Sequence, residues 1–305
     1  MPRHSAASLA LFRYAIFLAC CTLFLVVAGA TVTSKEAGLS VPDWPLSYGQ
    51  LMPPMYGNIF FEHGHRMVAT TVGFLTIIMA VWLYRRDDRA WMRRLGFAAL
   101  AAVCFQGLLG GLTVLYLLPK WVSISHACLA EIFFSTTVAL ALFTAPSFRD
   151  EPEMVDATGS LSLRTLGLWL PPFMLAQVFL GAAYRHKALD ILWHVGGAVV
   201  VTGVVLFVAV FALLSYPHHR TLRAYAIVLL GVTFVQVFLG VAAYISRVVT
   251  AEAPQPMPVM VWFTVAHVAT GALTLATSTL FAIQAARHVR PVVIAPMRSA
   301  ANMSH

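Results

Sequence analysis

Phe61-Glu62-His63-Gly64-His65-Arg66-Met67-Val68-Ala69-Thr70-Thr71-Val72-Gly73-Phe74 places an acid, two histidines and an arginine at the mouth of an otherwise apolar segment. On a helix Glu62 shares a face with His65 (i, i+3) and with Arg66 (i, i+4), whereas His63 and His65 point to nearly opposite sides. One of the two histidines can therefore look into a bundle beside Glu62, and the spacing assigns that place to His65. Ionisable groups at the edge of a membrane-spanning helix are costly and are usually kept for function.

The surrounding chain supports a membrane reading. Of its 305 residues, 60% are hydrophobic and only 10% are charged, with mean hydropathy +0.80. That lies far outside the range of a soluble domain and reads as a polytopic membrane protein in contact with lipid. The net charge of +8 does not indicate nucleic acid, because the positive residues fall in short loops, where they set topology. The first apolar stretch is too long for a signal-peptide core and is kept as a span. Cys20, Cys21, Cys104 and Cys128 all fall inside apolar segments and form no metal-type C-x-x-C, so they read as small core residues.

Apolar runs of spanning length occur at about 11–32, 66–84, 95–118, 121–144, 164–184, 190–215, 222–246 and 258–286. The fold expected is an all-α membrane protein with eight transmembrane helices. Every Lys and Arg except Lys35, Arg66, Lys120, Arg185, Lys187 and Arg247 falls on one side. The positive-inside rule puts that side, and both termini, in the cytoplasm of a multi-pass plasma-membrane protein. Segment 33–60, with Pro42-Asp43-Trp44-Pro45 and Pro53-Pro54, then lies outside as an interfacial loop over the bundle mouth.

The halves repeat. Gln106-Gly107-Leu108-Leu109-Gly110 matches Gln236-Val237-Phe238-Leu239-Gly240, and His65 stands to His194 at nearly the same offset. Gln177-Val178-Phe179-Leu180-Gly181 carries the pattern as well. The reading is two duplicated four-helix bundles, 1–150 and 151–305. Recurrence of small residues at close helix contacts is the plainer account of the glycines. The matched histidine offset favours duplication.

Four histidines occupy equivalent places, all near the outer ends of even-numbered helices: His65, His126, His194 and His267. Each half thus supplies two imidazoles at similar depth, a pair that can clamp a haem iron from both faces. A lone membrane histidine is more often a packed residue, but four at equivalent places are hard to explain that way. A cytochrome carrying electrons across the bilayer would need ligand helices with histidines about 13–14 residues, roughly 20 Å, apart. No helix here has that pair. His218, His219 and His288 sit in polar cytoplasmic ends and read as solvated loop residues.

The halves also differ. Only the first carries Glu62 one turn from its ligand and a long outer loop, whereas the position three before His194 is Ile191. A carboxylate beside a haem edge can act as a general base or stabilise a developing cation. Its plainer role is an interfacial salt bridge with Arg66. Arg66, Lys120, Arg185, Lys187 and Arg247, at the outer rim, can pair with haem propionates.

Glu62-x-x-His65-Arg66 resembles the motif of haem A synthases. So do Gly38-Leu39-Ser40-Val41-Pro42-Asp43-Trp44-Pro45-Leu46-Ser47-Tyr48-Gly49-Gln50, Pro53-Pro54, and the Ser125-His126 and Trp193-His194 contexts. The resemblance covers nearly the whole chain. It implies an oxidoreductase that converts a methyl group of haem O to a formyl group by successive hydroxylations, giving haem A for terminal oxidase biogenesis in a bacterial plasma membrane. By position, His65 and His126 would hold substrate haem O and Glu62 would be the catalytic acid/base. His194 and His267 would ligate resident haem B, and Arg66 would contact cofactor. The implied partners are a haem O-supplying farnesyltransferase and a quinone or other electron acceptor, and the oligomeric state, a homo-oligomer included, is left open. Many bacterial members carry a cysteine pair where this chain has Val41 and Ser47, so thiol chemistry in the loop is out of reach here.

Two other readings share the same histidines. A dihaem b-type quinone-linked cytochrome predicts haem B in both sites, and a small-molecule transporter with a histidine proton relay predicts a colourless protein.

Overall fold

A computed structural model describes residues 6–158 and 161–291. Arg3 and Arg298, and the two chain termini, lie outside the described residues. Those residues form eight long α-helices and no strand beyond two isolated bridges. The helices are α1 Ala6–Ser34, α2 Gly57–Arg86, α3 Ala90–Leu115, α4 Lys120–Thr144, α5 Leu163–Arg185, α6 Ile191–Ser215, α7 Arg220–Val249 and α8 Pro258–His288. All eight are long and apolar enough to cross a membrane. In lipid every backbone polar group must be satisfied within its own segment, which leaves the helix as the solution for an apolar run of this length. Side-chain hydroxyls follow suit by bonding back one turn, as Thr22 to Leu18 O and Thr76 to Val72 O do.

Two helix limits depart from those read off hydropathy. Helix α2 begins at Gly57 rather than 66, so Glu62 and His65 stand inside the helix instead of at its mouth. The polar residues lower the local hydropathy, but Glu62 and Arg66 are satisfied by one another and by the loop, so the helix runs through them. Helix α3 spans Ala90–Leu115 rather than 95–118. It takes in Arg93 and Arg94 and stops where Leu117 and Leu118 turn to positive φ, 56° and 59°. The outer connection between α1 and α2 is therefore 35–56, shorter than the expected 33–60.

Helices α1 to α4 neighbour one another in a closed ring, α1 against both α2 and α4, and α5 to α8 form a second ring. The rings meet along a seam of α1 and α4 against α5 and α8. Leu18, Val72, Met79, Leu83, Met92 and Leu140 fill the first ring. Leu170, Val205, Val208, Leu229 and Phe281 fill the second, and Val26, Phe134, Ala272 and Ala276 close the seam. Lipid is as apolar as these side chains, so close approach of small residues matters more than burial. A Cβ on Gly96 would come 2.9 Å from Leu83 Cδ1, and one on Gly167 3.1 Å from Ala285 Cβ.

Not all of the cysteines are core residues, although Cys21 packs against the first ring's core. Cys20 and Cys104 are exposed on the outer helix faces, Cys21 and Cys128 are half-buried, and all four are free. These thiols are apolar enough for lipid, so an apolar span does not distinguish inward from outward positions. At the arginine-rich end the link between α2 and α3 is tied by buried Asp87, which accepts from Arg89 Nε at 2.9 Å, Arg89 Nη2 at 2.7 Å and Arg149 Nη2 at 3.2 Å. Burial would raise the Asp87 carboxyl's pKa, but its hydrogen bonds from Arg89 outweigh that and hold it below the usual range. His219 and His288 are also not solvated. Both are buried, with ring centroids 4.7 Å apart, and both rings meet the backbone carbonyl of Glu153, at 3.2 and 2.9 Å. Segment 151–158 folds back under the second ring, where Val155 pairs with Val289. Of these three histidines, His218 alone stays exposed.

Candidate functional site

Each of the four histidines meets a glycine on the helix before it. A Cβ on Gly29 of α1 would lie 3.0 Å from His65 Cε1, and one on Gly110 of α3 3.2 Å from His126 Cε1. In the second ring the same Cβ on Gly181 would be 2.9 Å from His194 Cε1, and on Gly240 2.8 Å from His267 Cε1. Every odd helix thus lends a glycine to the imidazole of the next even helix, letting the ring's Cε1 edge approach the neighbouring backbone. All four even helices start at the same end of the molecule, so the imidazoles share one depth zone towards that end.

His194 and His267 face one another, with ring centroids 6.1 Å apart and ring planes at 81°. Two imidazole nitrogens on opposite sides of one metal ion, each about 2 Å from it, put the ring centres about 6 Å apart. The second pair therefore stands at the separation one iron between two imidazoles requires. His267 Nδ1 lies 3.2 Å from Gln236 O. Donating there leaves Nε2 with its lone pair for a metal. His65 and His126 each have a buried Nδ1 with no hydrogen-bond partner among the described residues. Orphaned ring nitrogens of this kind fit a metal-ligating role. No cluster of three or more His, Cys, Asp or Glu suited to a metal ion occurs among the described residues, so a metal held here needs other donors, as a porphyrin supplies.

Glu62 is 3% exposed and is fully engaged. Its Oε2 accepts the Val41 backbone N–H at 2.8 Å and its Oε1 accepts Arg66 Nη2 at 2.6 Å. Arg66 in turn donates to the carbonyls of Asp43 at 2.8 Å, Leu46 at 2.9 Å and Val41 at 3.3 Å. Ser47 Oγ lies 2.8 Å from His63 Nδ1. Glu62, His63 and Arg66 together therefore hook the outer loop to α2. Within the loop the Asp43 carboxylate accepts the Tyr48 N–H at 2.6 Å and the Gly49 N–H at 2.8 Å. These bonds, the one from Gly49 foremost, hold its pKa below the usual carboxylate range. Tyr48 and Gly49 turn at positive φ, 53° and 70°. Trp44 is pressed onto α3, where a Cβ on Gly111 would come 2.6 Å from its indole Cδ2, one residue from the glycine under His126.

The other rim cations are partly committed. Arg185 donates to Ser34 Oγ at 3.2 Å across the seam, and Arg247 stands over the Tyr184 ring at 6.0 Å. An apolar groove opens between α5 and α6, where Phe173, Leu180, Trp193, Gly197 and Val200 line it beside Gln177. One group escaped sequence reasoning altogether. Glu131 of α4 is 6% exposed, and its Oε2 has no partner. An acid in the middle of an apolar span was the available signal.

The fold and these imidazoles define a polytopic membrane protein with paired inward histidines at one end of each ring. The cytochrome oxidase assembly protein family, COX15-CtaA, matches residues 12–58 and 55–193. That is more than half of the chain, which belongs to this family. Among similar proteins, a heme A synthase of Symbiobacterium thermophilum is 32% identical over 170 residues, 54% of this chain and 55% of that one. One of Alkalihalophilus pseudofirmus is 27% identical over 179 residues, 57% and 59% of the two chains. One of Roseobacter denitrificans is 35% identical over 124 residues, 36% and 32%. The chain spans little more than half the length of the first two of these curated relatives, and less of the third.

Proposed function

We propose that this protein is a bacterial plasma-membrane oxidoreductase of haem A synthesis, which oxidises a methyl group of haem O to the formyl group of haem A for terminal oxidase biogenesis. The single observation that carries the reading is the contrast between two similar histidine sites. Only one of them has an acid and a folded loop at its edge. In this reading 1–150 and 151–305 are duplicated halves with different tasks. His65 and His126 hold the substrate haem, and His194 and His267 hold a resident haem B, whose iron supplies one-electron chemistry when bound.

Glu62 sits one turn from His65 and would accept protons as the methyl group is oxidised, a change that with water as the oxygen source releases four protons and four electrons to the acceptor on the way to the formyl group. Arg66 fixes the direction of that carboxylate and ties the loop over the site. The loop, with Trp44 wedged onto α3 beside the glycine under His126, covers the first site. Electrons leave through the second half, and the apolar groove between α5 and α6, close to His194, suits a quinone-type acceptor in the membrane. A farnesyltransferase that makes haem O is the natural supplier. The histidine-rich end faces outward in this reading, with both termini cytoplasmic, which the arginine distribution supports.

The test is chromatography of haems extracted from protein expressed with a haem O supply. Haem A or its hydroxylated precursor beside haem B is the expected result. Haem B alone, in both sites, would point to a dihaem quinone-linked cytochrome, the reading that the matching glycine–histidine pairs favour.

A further inference from the structure

Glu131 is a buried acid to which the function proposed above gives no task. Its Oε2 has no hydrogen-bond partner among the described residues, and the whole residue is 6% exposed within an apolar span. On α4 it shares a face with Phe134, Ser135 and Val138, three, four and seven residues on. Phe134 packs in the seam against Val26 of α1 and Ala272 and Ala276 of α8, with Val138 and Val268 bordering it. The acid therefore looks into the seam between the rings, and Ser135, whose buried Oγ also lacks a partner, stands one turn deeper. His126 lies five residues before Glu131 on α4, about 7.5 Å along the axis. Val268 directly follows His267 on α8. Glu131 thus sits where the helices carrying one imidazole of each ring meet, just below both. Its titratable neighbour is Cys128, one turn before it and within electrostatic reach. On the other elements packed against α4, Cys21 of α1 turns to the first ring's core, Cys20 and Cys104 are exposed, and His267 turns to His194. The arginines and tyrosines of α1, α3, α5 and α8, with His288, fall towards the helix ends.

We propose that Glu131 is a proton-exchange site shared by the two rings, neutral while the haems beside it are reduced and ionised once one of them is oxidised. An unpaired carboxylate in an apolar span is far costlier than the neutral acid, and a positive charge appearing nearby narrows that gap. Passage of one electron to the quinone-type acceptor leaves one more positive charge at the oxidised haem. The Glu131 O–H bond then breaks, its electron pair stays on the carboxylate, and the proton goes to water. The second ring has the greater need of such a group. Ile191 stands there in the place of Glu62, so an electron leaving past His194 and His267 meets no acid at that edge. In the first ring both oxygens of Glu62 are already engaged, by Val41 and Arg66. The presence of haem in both rings rests on the function proposed above, whereas the place of Glu131 in the seam does not.

The test is infrared difference spectroscopy of full-length protein loaded with haem B, stepped electrochemically from reduced to oxidised. Oxidation is expected to bleach the C=O band of one protonated carboxyl. Glu131→Gln should remove that band, and Glu62→Gln should keep it. In the same cell the haem potentials of the unaltered protein should fall as pH rises, approaching a tenfold change in the redox equilibrium per pH unit, about 59 mV for one electron. Glu131→Gln should flatten that slope, a readout that an acid merely filling space in the seam would not move. A carboxyl region unchanged on oxidation overturns the inference, and so does a slope that survives Glu131→Gln. If Glu131→Gln fails to load haem, Glu131→Asp takes its place and must shift the band, and an unshifted band overturns the inference. Protein that binds no haem at all brings down the function proposed above and this coupling with it, whereas a silent carboxyl in haem-loaded protein brings down the coupling alone.

Discussion

The outer ends of the two rings are built on the same helical frame and finished differently. In the second ring α5 and α6 are joined by residues 186–190, just enough for Asp190 to cap α6 by accepting the Leu192 N–H at 2.9 Å. In the first ring the corresponding link is 35–56, folded around Asp43 and hooked to Glu62, His63 and Arg66. The imidazole settings beneath are nearly interchangeable, each with its glycine. Imidazole placement thus comes from the repeated frame, and the difference between the two ends comes from what is hung on one of them.

The largest effect that would sharpen this contrast is loss of a ligand. His194→Ala or His267→Ala should abolish the resident haem, halving the haem per chain by absorption, while His65→Ala should spare it. Equal loss from either half would break the division of tasks. Next comes Glu62→Gln, expected to lower haem O conversion by about 10²–10⁴-fold. Because Glu62 also holds Val41 and Arg66, limited proteolysis of the loop is read alongside. Arg66→Lys, which keeps the charge but loses the fork that spans three carbonyls, should open the loop more than it slows chemistry. If the two variants behave alike in both assays, Glu62 is a loop anchor and no acid/base.

Smaller effects probe the frame. Gly181→Ala and Gly240→Ala place a methyl group under 3 Å from an imidazole carbon and should weaken haem retention in the second half about tenfold, measured by transfer to apomyoglobin. Gly64→Ala has open space around it and should leave retention unchanged. The smallest effect concerns pH. Asp43 has a folded pKa below its unfolded value, so the support it lends the loop is present above the ordinary aspartate range and is lost as pH falls through the folded value. Loop proteolysis should therefore rise in acid below that range, and Asp43→Asn should show the acid behaviour at neutral pH.

Much of the site was legible in the sequence. Apolar runs longer than a bilayer leave little choice but helices, and the even-helix histidines stand out because so few ionisable groups interrupt those runs. The Q-x-x-x-G pattern pointed to odd helices, although its missing member, Leu25 in α1, became visible only once Gly29 was found against His65. What stayed hidden were contacts made at a distance along the chain. Nothing local says that Val41 N–H finds Glu62, that Ser47 finds His63, or that Glu153 lends its carbonyl to both His219 and His288. Val41 and Ser47 are two of the loop's anchors to α2 through hydrogen bonds.

The sequence by itself determined the solvent of this protein, its eight spans, the sidedness of its arginines and the depth of its four imidazoles, because hydropathy and helical rise are local properties. Only the tertiary structure decided which glycine lies under which ring, that His194 and His267 face one another at 6.1 Å, and that Glu62 and Arg66 hold down the outer loop. Those are matters of which faces meet. Inside a bilayer, where every face is apolar, close packing and a few buried hydrogen bonds choose the partners.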